Sequence, residues 1–340
     1  MKRLWLSVAL VQAGVPRAML RWRRWTGAPW LLALTYHRVL PSIVEAIDRE
    51  VAIDVATFER QLAFLHEHFD FIGMDDVLAA IGGAKLPPAP VLITFDDGYR
   101  DNHDVVLPIL RNHGARAVFF VATDYIERRK LFWWDHILWT VNASTHKLLE
   151  LTYPSPRALP LGPGPRERAK TIQVLLHVIK THFGLDVPRF LDHLDEMAGT
   201  LLSSALERDL AETHVMNWDH VRALQRAGMD VQSHTHTHRI LDTLAPKDIA
   251  WELRESRERL RDQLGVAPVA VSYPVGRATA YTDAIRAAVR DAGYRAAFSN
   301  RAGVNVRTSI DPLDLRRISP EGATDQRLFE TVMAIPALAY

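Results

Sequence analysis

Residues 91–102 read VLITFDDGYRDN: an apolar run from Val91 to Phe95 that ends on two adjacent aspartates, a glycine and an aromatic. A short run that is apolar on both faces reads as a strand buried in a parallel sheet. Two neighbouring carboxylates at its end are unfavourable unless each meets a partner of its own. Outward from this stretch, strand-like and helix-like runs alternate. WLLALTYHRV (30–39) is expected as a strand and TFERQLAFLHEHF (57–69) as a helix with Phe58, Leu62 and Leu65 on one face. DVVLPILRNHG (104–114) is expected as a helix ending on Gly114, and ARAVFFVAT (115–123) as the next strand. The alternation resumes with a helix at WDHVRALQRAG (218–228) and strands at MDVQSH (229–234), VAVSYP (269–274) and YRAAFS (294–299), with a last strand near LDLRRIS (313–319). Repeated β–α units of this kind predict an α/β fold on a parallel sheet, open or closed into a barrel. Residues 128–216 break the rhythm with the aromatic run FWWDHILW and the proline-rich YPSPRALPLGPGP, and, with no strand series in them, read as a helical insertion on a βα loop. The expected organisation is an N-terminal segment over 1–29 and one domain over 30–335 that carries this insertion.

Composition narrows the function classes. The 340 residues are 48% hydrophobic and 24% charged, which excludes a mainly disordered chain. A net charge of +1 provides no basic field for nucleic acid. Cysteine is absent, so any metal must be held by histidine and carboxylate. A cysteine-free chain fits the cytoplasm or a peripheral place at the inner membrane, and leaves export open. The N-terminal MKRLWLSVALVQAGVPRAMLRWRRW has an apolar stretch too short to span a bilayer. It reads as a terminal helix packed on the domain, as an amphipathic helix on an anionic membrane surface, or as a signal peptide lacking a clean cleavage site.

Three expected strand ends carry chemistry: Asp96-Asp97, then QSHTHTHRIL (232–241), then SYPVGR (272–277). In a parallel barrel such ends face one mouth. His234 and His238 stand four apart, so one helical turn would put both imidazoles on one side to chelate a divalent ion, with His236 pointing away. An aspartate would complete a three-ligand site with an open position. The second carboxylate is then free to take a proton from water, the division of labour of metal-assisted hydrolysis.

TFDDG, HTxTH and a Pro-Gly strand-end loop, in this order, resemble the polysaccharide deacetylase family (NodB homology domain, carbohydrate esterase family 4). LTYHRV and LPILRNHGARAVFFVAT are similar to members found among bacterial exopolysaccharide and lipopolysaccharide genes. The resemblance implies a distorted (β/α) barrel of about seven strands that removes N-acetyl groups from a sugar in a cell-surface glycan or its lipid-linked precursor. It implies Asp96 as general base, and Asp97, His234 and His238 as ligands of a divalent metal, zinc by default with manganese or cobalt as alternatives. It also implies that the backbone N–H of Val275 helps stabilise the oxyanion. The arginine that orients the base in the family is replaced here by Ser272, with Arg277 or Arg317 as substitutes. The family's C-terminal acid histidine has no counterpart, because no histidine follows His238. His37 is the expected general acid and His103 the runner-up. Tyr273, Arg277, Trp133 and Trp134 are expected to meet substrate, although the two tryptophans equally suit packing of the insertion on the barrel. An amidase acting on a small linear or cyclic amide, and a degenerate glycan-binding member, are the alternatives.

Overall fold

Twelve strands form in the computed structural model of the protein, which describes residues 2–42, 51–277, 280–321 and 325–339. They are β1 (Trp30–Tyr36), β2 (Arg38–Leu40), β3 (Ala52–Asp54), β4 (Asp70–Phe71), β5 (Pro90–Phe95) and β6 (Val118–Val121). There follow β7 (Leu148–Leu151), β8 (Arg157–Pro160), β9 (Asp230–Ser233), β10 (Ala270–Ser272), β11 (Ala296–Phe298) and β12 (Asn305–Val306). The main sheet runs β11-β10-β9-β6-β5-β1-β12, with β4 also paired to β5. Its pairs are parallel except for β12, which lies antiparallel to β1. The sheet curls into the distorted barrel expected of the fold.

Strand alternation explains why the runs are apolar throughout. Leu34, Tyr36, Val91, Ile93, Phe95 and Phe119 face one core, whereas Leu31, Ala33, Leu92, Val118 and Phe120 face another with Phe298 and Leu315. Asp96 continues the Leu92–Thr94 face. That face also carries Arg317, whose guanidinium carbon lies 5.8 Å from the Phe120 ring centre.

Three expectations of local structure are corrected. LDLRRIS forms no strand; it closes the barrel through single bridges, Leu315 with Phe298 and Ile318 with Leu34. The helix expected over 104–114 begins as a π-helical turn, Asn102–Val106, and becomes α-helical over Leu107–Asn112. Pro108 has no N–H to give to residue 104, which removes one α-helical bond at that junction. The insertion contains a hairpin, β7 with β8, besides helices Trp133–Ala143, Pro165–Thr181, Val187–Ala198 and Ser204–His214.

The N-terminal segment forms two helices, Lys2–Gln12 and Val15–Thr26, which pack on each other and on the C-terminal helix Gln326–Ala334. Leu20 is buried there, and Arg23 stacks over Trp30 and donates to the Ala334 carbonyl. Trp22 and Trp25 stay 61% and 84% exposed. Among the described residues, no helix is long and apolar enough to cross a membrane.

The π-helical turn has a structural task. The Asp101 side chain, just before it, accepts from Arg38 Nε at 3.0 Å and from Val39 N at 2.9 Å, and Asn102 donates to the His37 carbonyl at 2.8 Å. The segment around His37 is thereby pinned to the loop that follows the paired acids. Asp101→Ala would leave the buried Arg38 charge unpaired, and a loss of about 3–5 kcal/mol is expected in chemical denaturation.

Candidate active site

The chemistry-bearing groups converge at the C-terminal ends of β1, β5, β9 and β10. His37, Asp96, Asp97, Trp133, Trp134, His234, His238, Val275 and Arg277 all line one cleft of about 220 Å³. Backbone conformation explains how the loops point them inward. Five non-glycine residues in the described structure adopt left-handed backbone, and four of them are Asp97 (φ 78°), Thr235 (φ 63°), His238 (φ 54°) and Val275 (φ 62°). Such geometry costs of order 1–3 kcal/mol per residue and persists where the surroundings enforce it. Glu252 supplies part of that enforcement: its buried carboxylate accepts from the backbone N–H groups of His236 and Thr237 at 2.9 and 2.8 Å. His234 and His238 therefore meet through a bent loop rather than through the helical turn expected from their spacing. Gly276 (φ 53°) completes the third loop, where a Cβ would stand 2.6 Å from the Asn300 nitrogen.

Asp97 Oδ1 lies 3.4 Å from His234 Nε2 and 3.3 Å from His238 Nε2, and the two nitrogens are 3.1 Å apart. Ligands about 2.0–2.1 Å from a tetrahedral zinc centre stand about 3.3 Å from one another. The three spacings match that value. The tautomer fits as well: His234 Nδ1 lies 2.8 Å from the Ser272 carbonyl and donates to it, which leaves Nε2 with a free lone pair. Burial and the nearby His234 push the His238 pKa down to about 4, so its ring is neutral, as a ligand must be. Burial works against an ionised Asp97, but the imidazoles of His234 and His238 beside it, with the nearby His37, hold it far below the usual carboxylate range. His236 turns away, with Nδ1 2.8 Å from Thr123 Oγ1.

Asp96 is held differently. Its carboxylate is fully buried and receives both arms of Arg317, Nη1 to Oδ1 and Nη2 to Oδ2, each at 2.7 Å. Ser272 Oγ donates to Asp96 Oδ2 at 3.1 Å and accepts from Arg317 Nη2 at 2.9 Å. Burial would raise the Asp96 pKa, and Arg317 reverses this to keep it ionised. Of the two substitutes expected for the missing arginine, Arg317 occupies the orienting position and Arg277 lines the cleft. The Val275 N–H meets no acceptor among the described residues.

His37 sits across the cleft with its side chain 16% exposed. Its Nδ1 contacts Glu321 Oε2 at 2.9 Å, and its backbone N–H donates to Glu321 Oε1 at 2.6 Å. Burial opposes the charged ring, but Glu321, aided by Asp97 and Asp96, carries its pKa up to about 10. His103 lies outside the cleft, bonded to Asp104 at 2.7 Å and stacked on His220.

Other expected substrate contacts divide. Tyr273 is a core residue: it is fully buried, donates to the Leu313 carbonyl and stacks on Tyr281. Ser272 faces Asp96, so the next side chain along must face the opposite way. Trp133 is a buried wall whose Nε1 donates to the His238 carbonyl. Trp134 is half-buried, lies 4.5 Å from the His238 ring and donates to the Tyr99 hydroxyl. Sequence reasoning missed Glu321 and Asn300. Neither stands in a periodic run, and Asn300 acts by accepting from Arg317 at 2.6 Å.

Residues 83–160 and 186–297 match the protein family described as polysaccharide deacetylase. No curated protein sequence matches the chain. Among solved structures, the fold is similar to the Streptococcus pyogenes deacetylase PplD (19% identity, TM-score 0.56, covering 85% of this chain and 92% of that one). It is also similar to IcaB from Ammonifex degensii (18%, 0.56, 91% and 97%) and to the BpsB deacetylase domain from Bordetella bronchiseptica (15%, 0.52, 86% and 97%).

The His37–Glu321 contact yields a direct expectation. In the metal-free protein, NMR titration of the His37 ring should give a midpoint near pH 10. Glu321→Gln should lower that midpoint by about 1–3 units, because it removes the negative charge that favours the imidazolium. An unchanged midpoint contradicts the pairing.

Proposed function

We propose that this chain, which belongs to the polysaccharide deacetylase family and is a hydrolase of that class, removes the N-acetyl group from a sugar of a cell-surface glycan or its lipid-linked precursor, in a reaction that depends on a divalent ion. The observation that carries this reading is the separation of two adjacent carboxylates into different roles. Asp97 is shared between two histidines, whereas Asp96 is locked by Arg317 with one edge still toward the cleft.

Asp97, His234 and His238 would hold the ion, and zinc suits two imidazoles and one carboxylate, with manganese or cobalt as alternatives. When bound, such an ion supplies Lewis acidity that activates water and polarises an amide carbonyl. Asp96 takes the proton of the attacking water, because it is ionised and its orientation is fixed from behind. The Val275 N–H donates to the oxygen that becomes negative as the carbonyl carbon turns tetrahedral. His37 gives its proton to the departing amine, a role that suits a ring kept protonated by Glu321. Trp134 and Arg277, at the rim, contact the sugar. This full set of base, orienting arginine and acid weighs against a degenerate glycan-binding member.

A peripheral membrane contact is part of the proposal. On helix Val15–Thr26, Trp22 and Trp25 are exposed on one side, and Arg17 and Arg21 are exposed beside them. Indole rings and cations in this arrangement suit an anionic lipid surface at the inner membrane.

Asp96→Asn should lower turnover of N-acetylated glycans by about 10²–10⁴-fold, read as acetate release, while the protein keeps its bound metal. His234→Ala and His238→Ala should lose the metal, and full metal occupancy in either would refute their role. In vesicle co-sedimentation, binding to phosphatidylglycerol should exceed binding to phosphatidylcholine and should fall in Trp22→Ala/Trp25→Ala. Equal binding to both lipids removes the membrane contact.

A further inference from the structure

A second cavity adjoins the cleft. It measures about 420 Å³, within the ~300–1,000 Å³ range of ligand pockets. His37 and Asn300 line both spaces, so the two share a wall on the His37 side of the cleft. Leu328, Phe329, Val332 and Met333 of the C-terminal helix form an apolar wall, to which Ile318 and Leu338 add, while Thr35, Arg317 and Ser319 are polar members of the lining.

Position decides what kind of group belongs there. The carbonyl end of an amide lies toward Asp97, His234, His238 and the Val275 N–H, and the nitrogen end lies toward His37. The sugar is attached through that nitrogen, so whatever extends past His37 is carried by the sugar and not by the acyl group. A polysaccharide neighbour would present hydroxyls to this wall and leave them without partners. An aliphatic chain would bury its surface there at a gain. The helix Gln326–Ala334 adds a further observation, since the N-terminal helices pack against it and one of them carries exposed Trp22 and Trp25. The cavity is thus built on the same helix that supports the face fitted for lipid.

We propose that this cavity is a subsite for the aliphatic chain of a sugar-linked lipid, so that the substrate is a glycolipid rather than a free polymer. This rests on the deacetylase reading above and narrows its substrate class.

The test compares octyl and methyl glycosides of N-acetylglucosamine, below the micellar concentration of the former, by calorimetric binding and by acetate release in the metal-loaded full chain. The octyl glycoside should bind at least tenfold more tightly, with the gain appearing in KM. Ala302→Trp, at an exposed cavity-lining position, should erase the octyl advantage while leaving the methyl glycoside unaffected. Leu328→Glu should do the same by placing a charge on the apolar wall. Equal affinity for the two glycosides in the unaltered protein overturns the subsite. So does an octyl advantage that survives both substitutions. Preferential octyl binding with no acetate released from either glycoside leaves the lipid subsite standing and refutes the deacetylase reading instead.

Discussion

The buried pair between Arg317 and Asp96 is the constraint around which the barrel mouth is arranged. Both side chains are fully withdrawn from water, and a charge so placed is tolerable only with its counter-charge in hydrogen-bond contact. The requirement fixes more than one side chain. Arg317 also reaches Thr94, Ser272, Asn300 and the Ser299 carbonyl, and so ties β5, β10 and the loop after β11 to the segment that closes the sheet. Closing the barrel and orienting the base are one event, because one guanidinium does both.

The two carboxylates of the pair Asp96-Asp97 show how finely the backbone sorts neighbours. Asp96 keeps the strand face of Leu92 and Thr94 and points at Arg317. Asp97, at φ 78°, leaves the strand path and turns toward the histidines. Without that left-handed residue the acids would alternate across the sheet, and Asp97 would point into the core that holds Ile93 and Phe95. The four strained positions are therefore the means by which three loops from separate strands aim at a common point.

Much of this was legible in the chain. Apolar runs ending in Asp96-Asp97, His234 and Ser272 identified three strand ends, and a parallel sheet collects such ends at one mouth. The helical spacing of His234 and His238 also predicted that His236 would turn away, and it does so on a bent loop instead. Strand alternation would have sent Tyr273 to the face opposite Asp96, where Tyr281 and Leu313 lie, once Ser272 was set against Asp96. Arg317 was half-visible, since a doublet of arginines in a strand-like run must turn one of them inward. Glu321 and Asn300 were not legible, because they stand in irregular loops whose positions depend on how the barrel closes. The bent loop of His234 and His238 hid behind a spacing that a helical turn would also satisfy.

Arg317 and Glu321 lie late in the chain, and His37 and Asp96 lie early. The three prospective metal ligands are all complete by residue 238, well before either late residue exists on a growing polypeptide. Their geometry leans on Glu252 and the Ser272 carbonyl, also earlier than residue 315, whereas the partners of Asp96 and His37 come only from residues 317 and 321. One short closing segment, residues 315–321, thus governs both proton-handling groups at once, while the ligand cluster is built without it.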